Sequence, residues 1–65
     1  MDAHEAFERL SPLERQIIDE RLYEHLSWPK IGERHGLTRQ SAYRLWQQAI
    51  KRMEVMINGP SNDKG

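Results

Sequence analysis

Three helix-start signals punctuate this chain, and they leave little freedom in how it can fold. Ser11 is followed by Pro12 and, three residues on, by Glu14. That is a capping box with proline at the first helical position, where its missing N–H would go unbonded anyway. Ser27 can cap a further helix, with Pro29 tolerated in its first turn, and Thr38 follows a Gly36-Leu37 pair. Gly36 can adopt the left-handed conformation that stops a helix, and Thr38 can cap the next one. The spacing predicts four helices: residues 3–10, Ser11 to about His25, Ser27 to His35, and 39–57. Ala3, Phe7 and Leu10 fall on one face of the first; Ile17, Ile18 and Leu22 supply the apolar side of the second. No alternating β-branched run exists and Val55 is the only valine, so no strand is expected. The fold class is therefore all-α: a small three- to four-helix bundle containing a helix-turn-helix.

With 65 residues the chain makes one small domain, here 1–57 with the helix-turn-helix at about 27–57, and 58–65 reads as a disordered tail behind Asn58-Gly59-Pro60. A core of this size supplies only a few kcal/mol, so stabilisation by a partner is an open alternative. There is no cysteine, which rules out disulfides and thiolate metal sites and fits a reducing cytoplasm. No apolar run approaches the roughly 20 residues of a membrane helix, and the acidic, amphipathic N-terminus is not a signal peptide. A soluble cytoplasmic protein is expected.

The net charge of zero hides a segregation. Residues 1–26 hold seven acids against three bases, a net −4. Residues 27–52 hold Lys30, Arg34, Arg39, Arg44, Lys51 and Arg52 against Glu33 alone, a net +5. The remaining −1 lies in residues 53–65. Such polarity points to one half facing a polyanion, against the plainer reading of solvated helix faces.

The fourth helix sharpens this. At 100° per residue, Leu45, Met56, Ala49, Ala42, Met53, Trp46, Ile57, Ile50 and Tyr43 cover an apolar arc of about 160°. Opposite lie Gln47, Gln40, Lys51, Arg44, Gln48, Ser41 and Arg52, without one acid between Thr38 and Arg52. A short helix, a glycine-containing turn and a longer helix form the helix-turn-helix pattern, whose second helix enters the major groove. Arginine can pair with guanine and glutamine with adenine, so Arg39, Gln40, Arg44 and Gln47 are candidate base readers. Lys30, Arg34, Thr38 and Ser41 are candidate phosphate contacts, and Lys51 and Arg52 lie far enough along to reach backbone only. A helical hairpin with a solvated polar face is the rival interpretation.

These residues resemble region four of bacterial RNA polymerase sigma factors, the part that reads the −35 promoter element. The resemblance runs from Leu10 to Met53 through Pro12, Glu14-Arg15, Ile17-Ile18, Arg21, Leu26-Ser27, Ile31-Gly32-Glu33-Arg34, Gly36-Leu37, Thr38-Arg39 and Ala49-Ile50. It implies promoter contacts at Arg39, Gln40, Tyr43 and Arg44. Of these, Gln40 replaces a frequent glutamate, Tyr43 a frequent basic residue and Arg44 a frequent glutamine, so a different target sequence or weaker reading is expected. Gly32 replaces the usual alanine at about 1 kcal/mol of helix propensity. His25 stands where a glycine usually ends the second helix, so a different turn is expected there. The family also docks on the flap of the polymerase β subunit through its first helices and the end of its last, here the acidic half plus Met53, Met56 and Ile57. A full sigma factor needs further domains, so the expectation is a small stand-alone regulator or an excised domain.

Double-stranded DNA is thus the first candidate partner; the polymerase flap, another regulator or a second copy of the chain are further ones. Trp28 is expected in the core. Trp46 is open between core and a partner surface, as Met53, Met56 and Ile57 are. Glu14 and Arg21 are expected either to pair or to leave Glu14 as a cap. His4, His25 and His35 have no metal-ligand spacing, and no nucleophile or phosphate-loop motif occurs. No enzyme activity, metal or cofactor is expected. A protein-interaction module that mimics region four without reading DNA is the competing function.

Overall fold

Each helix start is built as a side-chain cap. The computed structural model describes residues 1–59. It contains α1 (Ala3–Glu8), α2 (Pro12–Leu22), α3 (Trp28–His35) and α4 (Arg39–Asn58). Ser11 and Glu14 form the reciprocal box: Ser11 Oγ accepts from the Glu14 N–H at 3.2 Å, and Glu14 Oε1 accepts from the Ser11 N–H at 3.0 Å. Ser27 accepts from the Lys30 N–H and Thr38 from the Ser41 N–H, at 3.3 and 3.0 Å. Asp2, which the sequence reading passed over, caps α1 through the Glu5 N–H at 2.8 Å.

Two helices end earlier than the periodicity predicts. α1 stops at Glu8 rather than residue 10, because Ser11 must be extended (φ −65°, ψ 158°) to cap α2. Arg15 binds the carbonyls left open there, donating to Glu8 O at 2.9 Å and Leu10 O at 2.8 Å. α2 stops at Leu22 rather than His25. The Glu24 N–H reaches back five residues to Asp19 O and the Leu26 N–H six residues to Glu20 O. His25 sits at φ 58°, so a histidine takes the left-handed position that a glycine would hold.

The α3–α4 turn is a Schellman stop. Gly36 has φ 68°, and the Leu37 N–H donates to Gly32 O at 2.8 Å. This explains Gly32, which is buried. A Cβ there would lie 2.5 Å from Leu37 O and 3.1 Å from both Thr38 C and Thr38 O. The glycine is an approach point for the turn, not merely a weak helix former.

The core has two clusters that share one side chain. Leu10, Ile18 and Ala49 are packed with Phe7, Trp46, Met53 and Met56. Ile17, Ile31 and Ala42 are packed with Leu13, Leu26, Trp28, Leu45 and again Trp46. Of the two readings open for Trp46, the packing agrees with the core: it is half-buried against both clusters, and its Nε1 is shut away from solvent without a hydrogen-bond partner. One edge of the predicted α4 arc is not covered: Ile57, Ile50 and Tyr43, its last 40° or about that, are exposed, while Leu45 and Met56 at the other edge pack on the clusters. The three shorter helices cover the stripe from Leu45 to Trp46 and leave its far edge open.

Across the clusters run ion pairs between the acidic and basic halves. Glu14 and Glu20 are buried carboxylates. Glu14 does not pair with Arg21; it caps α2 and accepts from Arg52 Nη1 at 2.8 Å. Burial pushes its carboxyl up, but the Ser11 hydrogen bonds and the Arg52 guanidinium outweigh this and hold it below the usual carboxylate range. Arg21 instead donates to Leu26 O at 3.0 Å and lies 4.6 Å over the Trp28 ring. Glu20 accepts from His35 Nε2 at 2.9 Å, tying α2 to the end of α3.

Candidate nucleic-acid interface

The polar face of α4 begins where the Thr38 cap sets the helix direction. Arg39, Gln40, Tyr43, Arg44, Gln47 and Lys51 are all exposed on this helix. Gln40, Arg44, Gln47 and Lys51 follow a spacing of four, three and four, which places them along one stripe. Among the described residues, Arg39, Arg44 and Lys51 have no ion-pair partner. Gln47 Nε2 donates to Tyr43 Oη at 3.2 Å.

The other bases of this half are engaged to different degrees. Lys30 lies 3.7 Å from Glu33, but both side chains are more than half exposed, so the pair is weak and Lys30 can swing to an anion. Arg34 departs from the expected phosphate contact. Its guanidinium lies 3.5 Å from Glu20 and 3.3 Å from Glu24, so it is turned toward α2. Arg52 is held by Glu14. The hydroxyls of Thr38 and Ser41 are occupied by the cap: Thr38 Oγ1 accepts the Ser41 N–H and donates to Ser41 Oγ at 3.0 Å. Their exposed positions still put the Ser41 hydroxyl and the first turn of α4 on the surface.

Tyr43 and Trp28 depart from a purely polar face. Their rings meet edge to face at 5.2 Å, and Tyr43 stacks on Trp46 at 6.0 Å. Trp28, expected in the core, is only half-buried and reaches the surface beside Tyr43. With Arg39 and Gln40 these two rings line a shallow hollow.

Two turns further along the same edge of α4, Phe7, Ile18, Leu22, Tyr23, Ile50 and Met53 line a groove between α1, α2 and α4. Of the residues expected at a partner surface, Met53 reaches this groove, Met56 packs on the first cluster and Ile57 stands exposed. Leu22 and Tyr23, at 50 % and 77 % exposure, are the residues that sequence reasoning missed. The physical cause is the left-handed stop at His25, which shortens α2 and leaves its last apolar residues without cover.

No helix among the described residues is long and apolar enough to cross a membrane. No cluster of His, Asp or Glu among them could hold a metal ion. A comparison with curated proteins and with solved structures gives no match. The family described as Sigma-70, region 4 matches residues 6–54, from the middle of α1 to within the last turns of α4. It is a family of DNA-binding, non-enzymatic helix-turn-helix domains. Four capped helices, a Schellman turn between α3 and α4 and an outward basic stripe agree with that match, and the chain belongs to the sigma-70 region 4 family.

Proposed function

We propose that the protein is a transcription regulator that lays α4 in the major groove of promoter-like DNA and acts with RNA polymerase in the cytoplasm. Arg39, Gln40, Tyr43, Arg44 and Gln47 meet base edges. Lys30, Ser41 and Lys51 meet phosphates, with the free N–H groups at the start of α4, while the Thr38 hydroxyl stays on the cap and orients Ser41. One observation carries this reading: the bases on the outer face of α4 lack acidic partners, whereas Arg34 and Arg52 pair with Glu20, Glu24 and Glu14 of the acidic half. A solvated face would need no such division.

Salt titration of duplex binding tests it. Between two and four phosphates neutralised by Lys30, Lys51, Arg39 and Arg44 give a slope of about −2 to −4 in log affinity against log salt. Replacing Arg39 and Arg44 together by alanine abolishes binding while the helical circular dichroism is unchanged. Absence of duplex binding at low salt refutes the reading.

A second reading is favoured by the groove between α1, α2 and α4. Its exposed Leu22, Tyr23 and Ile50 suit a protein partner, the polymerase β flap or another regulator, with or without DNA. Capture of the isolated flap by the wild-type chain, and its loss in Tyr23→Glu, is the matching test. A flap bound equally by both refutes the groove.

A further inference from the structure

The major groove offers base-edge donors and acceptors and one apolar group, the C5-methyl of thymine. At the start of α4, beside the candidate base readers, lies an apolar hollow lined by Trp28, Arg39, Gln40 and Tyr43. Its rings are fixed in advance. Tyr43 is held edge-on by Trp28 at 5.2 Å, from behind by Trp46 at 6.0 Å, and at its Oη by Gln47. Trp28 is held in turn by Trp46 at 5.3 Å and by the Arg21 guanidinium at 4.6 Å. A phenol packed this way cannot extend to a phosphate as a basic side chain would. It offers a rigid apolar wall that needs little ordering on contact. Arg39 and Gln40 flank it with polar groups that have no hydrogen-bond or ion-pair partner among the described residues.

We propose that this hollow receives the C5-methyl of one thymine, which makes Tyr43 and Trp28 determinants of sequence specificity by apolar contact. The inference rests on the DNA reading given above. If the two rings served only to cover the core, DNA binding would be indifferent to that methyl.

The test starts from duplexes that this chain recovers from a randomised pool at low salt. Each thymine of the recovered site is replaced singly by deoxyuridine, which removes the C5-methyl and nothing else. At one position binding becomes about fourfold weaker, the equivalent of roughly 0.8 kcal/mol per buried methyl group. Tyr43→Ala binds the thymine and uracil duplexes equally, while Tyr43→Phe, which keeps the ring, still distinguishes them. A recovered site with no thymine, a scan in which every uracil duplex binds as tightly as its parent, or a difference that persists in Tyr43→Ala overturns the proposal. The scan on the wild-type chain decides the matter even if Tyr43→Ala does not fold. Recovery of no duplex refutes the DNA reading and this inference together; recovery of salt-sensitive duplexes without methyl sensitivity refutes the hollow alone.

Discussion

Gly32→Ala sets two effects against each other with opposite signs. Alanine in a helix interior gains about 1 kcal/mol over glycine, so propensity alone makes this a stabilising change. The packing says otherwise. The added Cβ meets Leu37 O at 2.5 Å, where ordinary contact begins at 3.4 Å, a shortfall of 0.9 Å. The obstructing atoms are backbone of the turn, not the end of a flexible side chain. Relief requires Leu37 and Thr38 to move away, which stretches the 2.8 Å bond from the Leu37 N–H to Gly32 O and tilts the Thr38 cap. Overpacking of this kind costs about 1–3 kcal/mol. The weakened hydrogen bond adds about 1 kcal/mol. Against the propensity gain, the net expectation is a loss of about 1–3 kcal/mol. For a domain of this size that lowers the melting temperature by roughly 4–24 °C. Thermal unfolding followed by circular dichroism at 222 nm, with urea unfolding as a second measure, reads the change. A variant as stable as the wild type, or more stable, would refute the close-approach argument and leave Gly32 as a simple propensity defect.

The cap, the turn and the charges give further expectations. Thr38→Ala removes the acceptor for the Ser41 N–H and lowers stability by about 1 kcal/mol in urea unfolding. His25→Gly relieves the left-handed backbone at φ 58° and raises stability by about 0.5–1 kcal/mol after the entropy cost of glycine, a result that a melting curve shows directly. Because the Glu14 carboxyl is held below the usual range in the folded chain, its contribution is full above the unfolded value of about 4.3 and is lost as pH falls through the lower folded value. Melting temperatures of wild type and Glu14→Gln therefore differ most near neutral pH and converge as acid titrates the folded carboxyl.

The local grammar of the fold is legible in the chain because caps and stops are chemical events within four residues. Ser11, Ser27, Gly36 and Thr38 do what their types dictate wherever they occur. The two misplaced helix ends come from competition between neighbours. Leu10 continues the α1 periodicity, but Ser11 cannot both extend that helix and cap the next. His25 carries no turn signal of its own, and its left-handed backbone follows from the bonds that Glu24 and Leu26 send back to α2. Gly32 was legible as a helix defect but not as a contact, since its neighbours Leu37 and Thr38 meet it only after the Gly36 turn has closed.

The charge pattern is where sequence and structure differ most usefully. A +5 half suggests a uniformly attractive surface, but a base's value to a polyanion depends on what already holds it. Arg34 and Arg52 are joined to Glu20, Glu24 and Glu14, and these links fasten the basic half of the chain to its acidic half. Sequence distance hides this: Arg52 and Glu14 stand 38 positions apart. The polarity thus does two jobs, linking α2 to α3 and α4 through half-exposed guanidinium groups and leaving Arg39, Arg44 and Lys51 without acidic partners. The two jobs separate by mutation. Arg34→Ala should lower stability, since it strips a partner from a buried carboxylate, while leaving the salt slope of DNA binding where it was. Arg44→Ala should leave stability unchanged and weaken duplex binding, with a shallower slope if Arg44 meets a phosphate and altered base preference if it meets guanine. If Arg34→Ala weakened DNA binding as much as Arg44→Ala did, without loss of stability, the division of labour drawn from these ion pairs would be wrong.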